Sequence, residues 1–153
     1  MGRIHQKPIS ELLSYRLSRV AGTLSRSASV RYRREFDVSL GEWRVIALLG
    51  EKPGTTLNRL ARRAALDKSQ MSRVVARLEE RGYVTRSAGA RRSTMLTLTE
   101  AGLGVYDGLI GAANQRDQRL ESLASPAKMR VFEEVLDALD VFARQMEAEE
   151  DTK

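Results

Sequence analysis

Apolar positions recur at helical spacing through most of the chain and give way once to short alternation. Leu13, Leu17, Val20, Leu24 and Ala28 lie three or four residues apart behind Ser10, which predicts a long helix capped by Ser10 and running toward Arg34. Ser39 with Glu42 forms a capping-box pattern for a second helix carrying Trp43, Ile46, Ala47 and Leu49, stopped by Lys52-Pro53-Gly54. A third begins at Thr55 or Thr56 and presents Leu57, Leu60, Ala61 and Ala64. After a turn at Ala65-Leu66, Asp67 and Gln70 give a second capping-box pattern, opening a helix with Met71, Val74, Val75 and Leu78 on one face.

Gly82 suits a left-handed helix end. The alternation of Tyr83–Arg86 and Thr94–Leu98 then predicts two strands around a small-residue loop, Ser87 to Ser93. Thr99 caps a fifth helix through Leu103, Tyr106, Leu109 and Ile110 toward Leu120. Gly102, Gly104, Gly108 and Gly111 lie within it, where they permit close approach or a bend. Ser125-Pro126 starts a last helix with Met129, Phe132, Val135, Leu136, Leu139, Phe142 and Met146 along one stripe. The fold class read from this order is mainly α (α+β): a helix-turn-helix with a following hairpin, which is a winged helix, between long terminal helices.

Composition sharpens this picture. Apolar residues make up 42% of the 153, enough for a core, while aromatics at 5% disfavour a sandwich or barrel. No cysteine is present, which excludes disulfides, thiolate chemistry and Cys-ligated metal and agrees with a reducing cytoplasm. No apolar run approaches a membrane span and residues 1–8 lack a secretory signal's apolar segment, so a cytoplasmic location away from membranes is expected. His5 is the only histidine, so neither a metal nor a cofactor is expected.

Charge is unevenly placed. Eight Lys/Arg face three Asp/Glu in residues 1–39 and twelve face six in residues 40–100, whereas six face eleven in residues 101–153. A basic first two-thirds with an acidic tail fits a nucleic-acid footprint and a remainder that does not bind, although solvated helix faces also produce such totals. On the fourth helix the apolar face leaves Ser69, Gln70, Ser72, Arg73 and Arg77 outward or flanking, and these groups reach base edges and phosphates. Arg91 and Arg92 sit on the hairpin tip, where a cation suits the negative potential of a narrow minor groove.

These residues resemble the MarR/SlyA family of transcription regulators. The match is strongest over Leu66 to Val84, then Arg91-Arg92-Ser93 and the strand into Leu98-Thr99-Glu100-Ala101-Gly102. The resemblance implies that Ser69 to Arg73 open the recognition helix and that Arg92 is the wing arginine entering the minor groove. It also implies a homodimer joined through terminal helices, with residues 1–38 and 101–153 as the dimerisation region and 39–100 as the DNA-binding domain. Such a dimer sets two recognition helices roughly 34 Å apart and reads a palindromic operator in double-stranded DNA. Family members bind small phenolic or aromatic carboxylates between the dimer helices and the winged helix, which implies a repressor released by such an effector. Tyr15, Arg16, Arg19 and Trp43 are candidate ligand residues, an arginine beside aromatic surface suiting an aromatic acid, although each also reads as a core, interface or solvated position. One position departs: the family's wing usually carries Asp two residues before its arginine, where this chain has Ala90. The tip is then either more mobile or held by other contacts.

An enzyme is disfavoured, because one histidine, no cysteine and no phosphate-cradling glycine loop leave little for acid–base or covalent chemistry. Two other classes share the fold: a DNA-architectural protein without sequence preference, and a winged helix used for protein contacts without ligand sensing.

Overall fold

The N-terminal stripe folds as α1 (Leu13–Phe36) in the computed structural model, which describes residues 7–64, 66–90 and 93–151. Ser10 does not cap it. Pro8 instead leads into a single 3-10 turn, Ile9–Glu11, that consumes Ser10, and the helix starts after Leu12 with no side-chain cap. At the other end Asp37 takes a left-handed conformation (φ 51°) and its N–H bonds back to Arg33 O, closing the helix two residues beyond the expected Arg34.

Two compact units follow from the packing, residues 1–110 and residues 111–153. In the first, α2 (Leu40–Glu51) opens on a complete capping box: Glu42 N–H donates to Ser39 Oγ at 3.3 Å and Ser39 N–H to Glu42 Oε2 at 2.7 Å. The third apolar run divides into a two-residue strand β1 (Thr55–Thr56) and α3 (Leu57–Ala64). A strand this short has no alternation to read, so helical spacing alone places its β-branched pair at the helix start.

Helix α4 (Lys68–Glu80) ends on Gly82, whose φ of 72° lets Tyr83 N–H reach Leu78 O and Gly82 N–H reach Glu79 O. Strands β2 (Val84–Ala88) and β3 (Thr94–Leu98) follow, and β1 pairs with β3 to give the antiparallel order β1-β3-β2. Val84 faces Leu98 and Ala88 faces Thr94, so the hairpin register leaves residues 89–93 as the tip. Ile46, Leu49, Leu60, Met71, Val75, Leu78 and Leu96 are fully buried where α2, α3 and α4 meet the sheet. At about 1.5–3 kcal/mol for each large side chain, this burial supplies the main cohesion of the winged helix.

Thr99 caps α5 (Glu100–Glu121) by accepting Gly102 N–H at 3.0 Å, and its own hydroxyl donates to Gly82 O at 2.6 Å. That bond ties the start of α5 to the end of α4. Gly102 is the position where this closeness tells, since a Cβ there would lie 2.1 Å from Tyr83 O, whereas Gly104 and Gly111 face open space.

The second unit holds the rest of α5 and α6 (Pro126–Glu150), which has Ser125 at its N-cap and Pro126 in the first position. The Ser125 side chain makes no cap bond. Phe132, Val135, Leu136, Phe142 and Met146 run along α6 and all are exposed in the single chain. Leu13, Leu17, Val20 and Leu24 on α1 are exposed as well, and only Ala28 and Tyr32 of that helix are buried. No helix among the described residues is long and apolar enough to cross a membrane.

Candidate nucleic-acid interface

Four buried residues, Met71, Val74, Val75 and Leu78, fix which way α4 faces. The remaining positions point outward, and Ser69, Gln70, Ser72, Arg73 and Arg77 are all exposed. Asp67 Oδ1 accepts Gln70 N–H at 2.7 Å and anchors the first turn. The reciprocal bond of a full capping box is not formed among the described residues. Gln70 instead lines a shallow concavity of about 530 Å³ with Arg73, Arg77, Gly41, Leu66 and Val74. Ser69 and Ser72 lie further around the helix, since successive positions turn by about 100°. The helix therefore offers a hydroxyl flank and an arginine flank on one solvent-facing side. Arg73 has no ion-pair partner among the described residues, so its guanidinium is available to an outside acceptor.

Beneath this surface, Glu42 is 4% exposed and faces Arg81 Nη1 at 3.7 Å. Arg81 also donates to Asp37 O at 2.8 Å and stacks over Tyr83 at 4.8 Å, so one guanidinium joins the ends of α1 and α4 to the start of α2 and of the hairpin. Burial alone would raise the Glu42 pKa. The Ser39 hydroxyl and backbone N–H, with Arg81 and Arg77 nearby, outweigh it and hold the carboxyl below its ordinary value. A lowered folded pKa means the stabilisation is present above the unfolded value, about 4.3, and is lost as pH falls through the folded one. Thermal melts from pH 7 to pH 3 are expected to show this loss, with Glu42→Gln less stable at pH 7 and flatter below pH 5. A wild-type slope in Glu42→Gln would remove the carboxylate from this role.

The hairpin is secured to α4 by a bidentate pair: Arg86 Nε and Nη2 donate to Glu79 Oε1 and Oε2 at 2.7 and 2.8 Å. Glu79 in turn raises the Arg86 pKa and keeps it charged. The tip has its own closure. Gly89 N–H donates to Ser93 O at 2.7 Å, and Ser93 Oγ and N–H both reach Ala90 O, at 2.7 and 3.2 Å. At Ala90, where the family pattern has a carboxylate, the backbone carbonyl takes these bonds. Arg91 and Arg92 lie outside the described residues, as does His5. The Arg86–Glu79 pair was not read from the sequence, though a basic and an acidic residue seven apart across a Gly82 turn would have suggested it.

Of the candidate ligand residues, Arg19 lies over the Tyr15 ring at 5.9 Å, and Arg16 and Arg19 line a concavity of about 360 Å³ with Val20, Thr23 and Leu24. Trp43 is elsewhere. It packs on Tyr32 with ring centroids 5.1 Å apart, thirteen positions or roughly 20 Å along α1 from Arg19. Within one chain Trp43 therefore lies apart from the surface formed by Tyr15, Arg16 and Arg19.

A capped helix with an exposed polar face, preceded by a short helix and clasped to a hairpin, defines a winged-helix protein of the DNA-binding class. A sequence model of the MarR family matches residues 36–93. The HTH-type transcriptional repressor Rv2887 of Mycobacterium tuberculosis H37Rv is 28% identical over 129 residues, covering 83% of this chain and 92% of that protein. A MarR/EmrR family regulator from Acinetobacter sp. ADP1 shares the fold with a TM-score of 0.84 at 24% identity, covering 91% of this chain and 99% of its own. The crystal structure of Rv2887 in complex with p-aminosalicylic acid aligns with a TM-score of 0.67 at 28% identity, over 84% of this chain and 98% of that one. Residues 36–93 thus match the MarR family, and over most of its length the chain is similar to winged-helix transcription regulators of that family.

Proposed function

We propose that the protein is a homodimeric repressor that reads a palindromic operator through α4 and is released by a small aromatic or phenolic acid. The carrying observation is the α4 surface, with Ser69, Gln70, Ser72, Arg73 and Arg77 exposed on a helix whose opposite face is locked into the core. Hydroxyls, an amide and arginines at this spacing match the hydrogen-bonding edges of a major groove about 12 Å wide. Arg92, with Arg91 beside it, supplies the minor-groove contact from a hairpin that the Arg86–Glu79 pair holds to the same helix. Residues 39–100 form the DNA-binding domain, and residues 1–38 and 101–153 form the dimerisation region. The exposed stripes on α1 and α6 support the dimer, since a second copy is the occupant that symmetric regulators of this fold supply.

Effector release rests on Rv2887, which has been crystallised with p-aminosalicylic acid. Arg16 and Arg19 beside Tyr15 offer a carboxylate a cation next to aromatic surface. Trp43 joins them only if the partner subunit closes the distance, so the ligand site is shared between copies.

Arg73→Ala is expected to weaken operator binding by about 1–3 kcal/mol and relax preference at one position in each half-site, whereas Arg92→Ala weakens binding to all sequences more evenly. Mobility-shift titrations on operator and scrambled DNA test both. Wild-type affinities for both variants would end the assignment of α4 as the reading helix.

A further inference from the structure

Helix α1 has two unlike halves. Leu13, Leu17, Val20 and Leu24 are exposed, whereas Ala28 and Tyr32 are buried and Val38, just past the helix end, is fully so. The first half is free to carry a contact with a second copy, and the second half is docked on the winged helix. Any tilt between that docked end and α4 is therefore passed on to the placement of the reading residues.

Two kinds of contact hold the docked end. Tyr32 packs on Trp43, and apolar contacts of this kind hold without fixing a direction. Arg81 adds direction. Its backbone is set by the end of α4, with its N–H bonded to Arg77 O at 3.1 Å and Gly82 turning the chain behind it. Its guanidinium donates to Asp37 O at 2.8 Å and faces Asp37 Oδ2 at 3.6 Å and Glu42 Oε1 at 3.7 Å, with the Tyr83 ring stacked against it. Asp37 is the non-glycine residue at positive φ among the described residues. A side chain in that conformation persists where its surroundings hold it. Here Arg81 meets both its carbonyl and its carboxylate, and Arg33 Nη1 meets the carboxylate at 3.4 Å.

Small tilts at this joint matter on the scale of DNA. Ser69 to Arg73 lie eight to twelve positions before Arg81, about 12–18 Å along α4. A tilt of about 10° at the joint moves them by roughly 2–3 Å, and the separation of two copies in a dimer by up to about twice that. One base-pair step is about 3.4 Å, so the joint decides whether half-sites of a given separation are met together.

We infer that Arg81 is a positioning residue: by fixing α4 against the end of α1, it sets the half-site spacing that the dimer accepts. This inference rests on the proposed dimeric DNA-binding function. Arg81 acts on spacing, and base choice stays with Ser69, Gln70 and Arg73.

The test uses full-length protein and duplexes with one half-site, with two at the optimum spacing, and with two after one base pair is added or removed. Arg81→Met keeps an apolar stem and removes the guanidinium. It is expected to lower the optimum-to-shifted affinity ratio about fivefold or more, with affinity for one half-site within about twofold of wild type. Arg81→Lys keeps a cation without the planar fork and should lower the ratio about twofold, so the test stands even where Arg81→Met does not fold. The chain has no native cysteine, so Lys68→Cys carries one spin label per chain. Without DNA, the label-to-label distance distribution of the dimer should broaden by about 4 Å or more in Arg81→Met. A wild-type spacing ratio or a wild-type label distribution in the variants overturns the inference. So does an equal loss on one and two half-sites, which would give Arg81 a part in the stability of α4 instead of its placement. Arg73→Ala separates the two levels. Lost half-site affinity there, beside a wild-type spacing ratio in Arg81→Met, defeats only the positioning role. A wild-type protein with no spacing preference, or with no label pair, defeats the dimeric reading beneath it.

Discussion

Replacing Phe132 and Phe142 with glutamate is expected to yield a folded monomer whose affinity for a two-half-site operator falls by about 10²–10⁴-fold. Both rings lie on the apolar stripe of α6 and are 50% and 57% exposed in the single chain, so a charge there costs the isolated fold little. Facing the same stripe on a second copy, four carboxylates would be buried without partners, a cost of several kcal/mol that association cannot offset. Each winged helix would still meet one half-site, but the second contact would no longer be intramolecular. Light scattering of the purified variant gives the mass, and titration on one and two half-sites gives the affinity ratio. A dimeric mass, or undiminished preference for two half-sites, would move the interface off α6.

Gly102→Ala is expected to destabilise the protein by about 1–3 kcal/mol, lowering Tm by roughly 3–10 °C. The new Cβ would meet Tyr83 O at 2.1 Å, and that oxygen also accepts Thr99 N–H at 3.0 Å. A backbone carbonyl cannot swing aside as a side chain can, so either α5 withdraws from the hairpin or the Thr99 cap opens. Alanine's better helix propensity, worth about 1 kcal/mol, offsets part of the loss. Gly104→Ala gains the same propensity with nothing within 4 Å of its Cβ and should therefore raise Tm. Calorimetry on the pair decides; equal shifts would mean that the approach to Tyr83 carries no strain.

How far the structure could be read from the residues depended on the range of each signal. Ser39 with Glu42 and Asp67 with Gln70 are local devices, and both open helices where the spacing placed them. Gly82 and the alternation of Thr94–Leu98 likewise specify a cap and a strand within a few residues. The Ser10 cap failed because Pro8 favours a 3-10 turn just ahead, and β1 was missed because its pairing partners, Met95 and Leu96, lie forty residues on. The same distance hid Arg81, which bonds to Asp37 forty-four residues away. On α4, hydrophobic periodicity identified the outward face because the inward one is regular. Periodicity is silent on separations between elements, and the four candidate ligand residues consequently fall on two surfaces of one chain.

The proposed function requires α4 to read bases, and to do so twice in a symmetric dimer. Selection of binding sites by the purified wild-type protein from random duplex DNA tests it most directly. The expected result is an inverted repeat whose half-site centres lie about 10–10.5 base pairs apart or a multiple of that spacing, with Arg73→Ala relaxing one position in each half. Recovery of duplexes with no shared sequence, or of a single unpaired half-site, would contradict it.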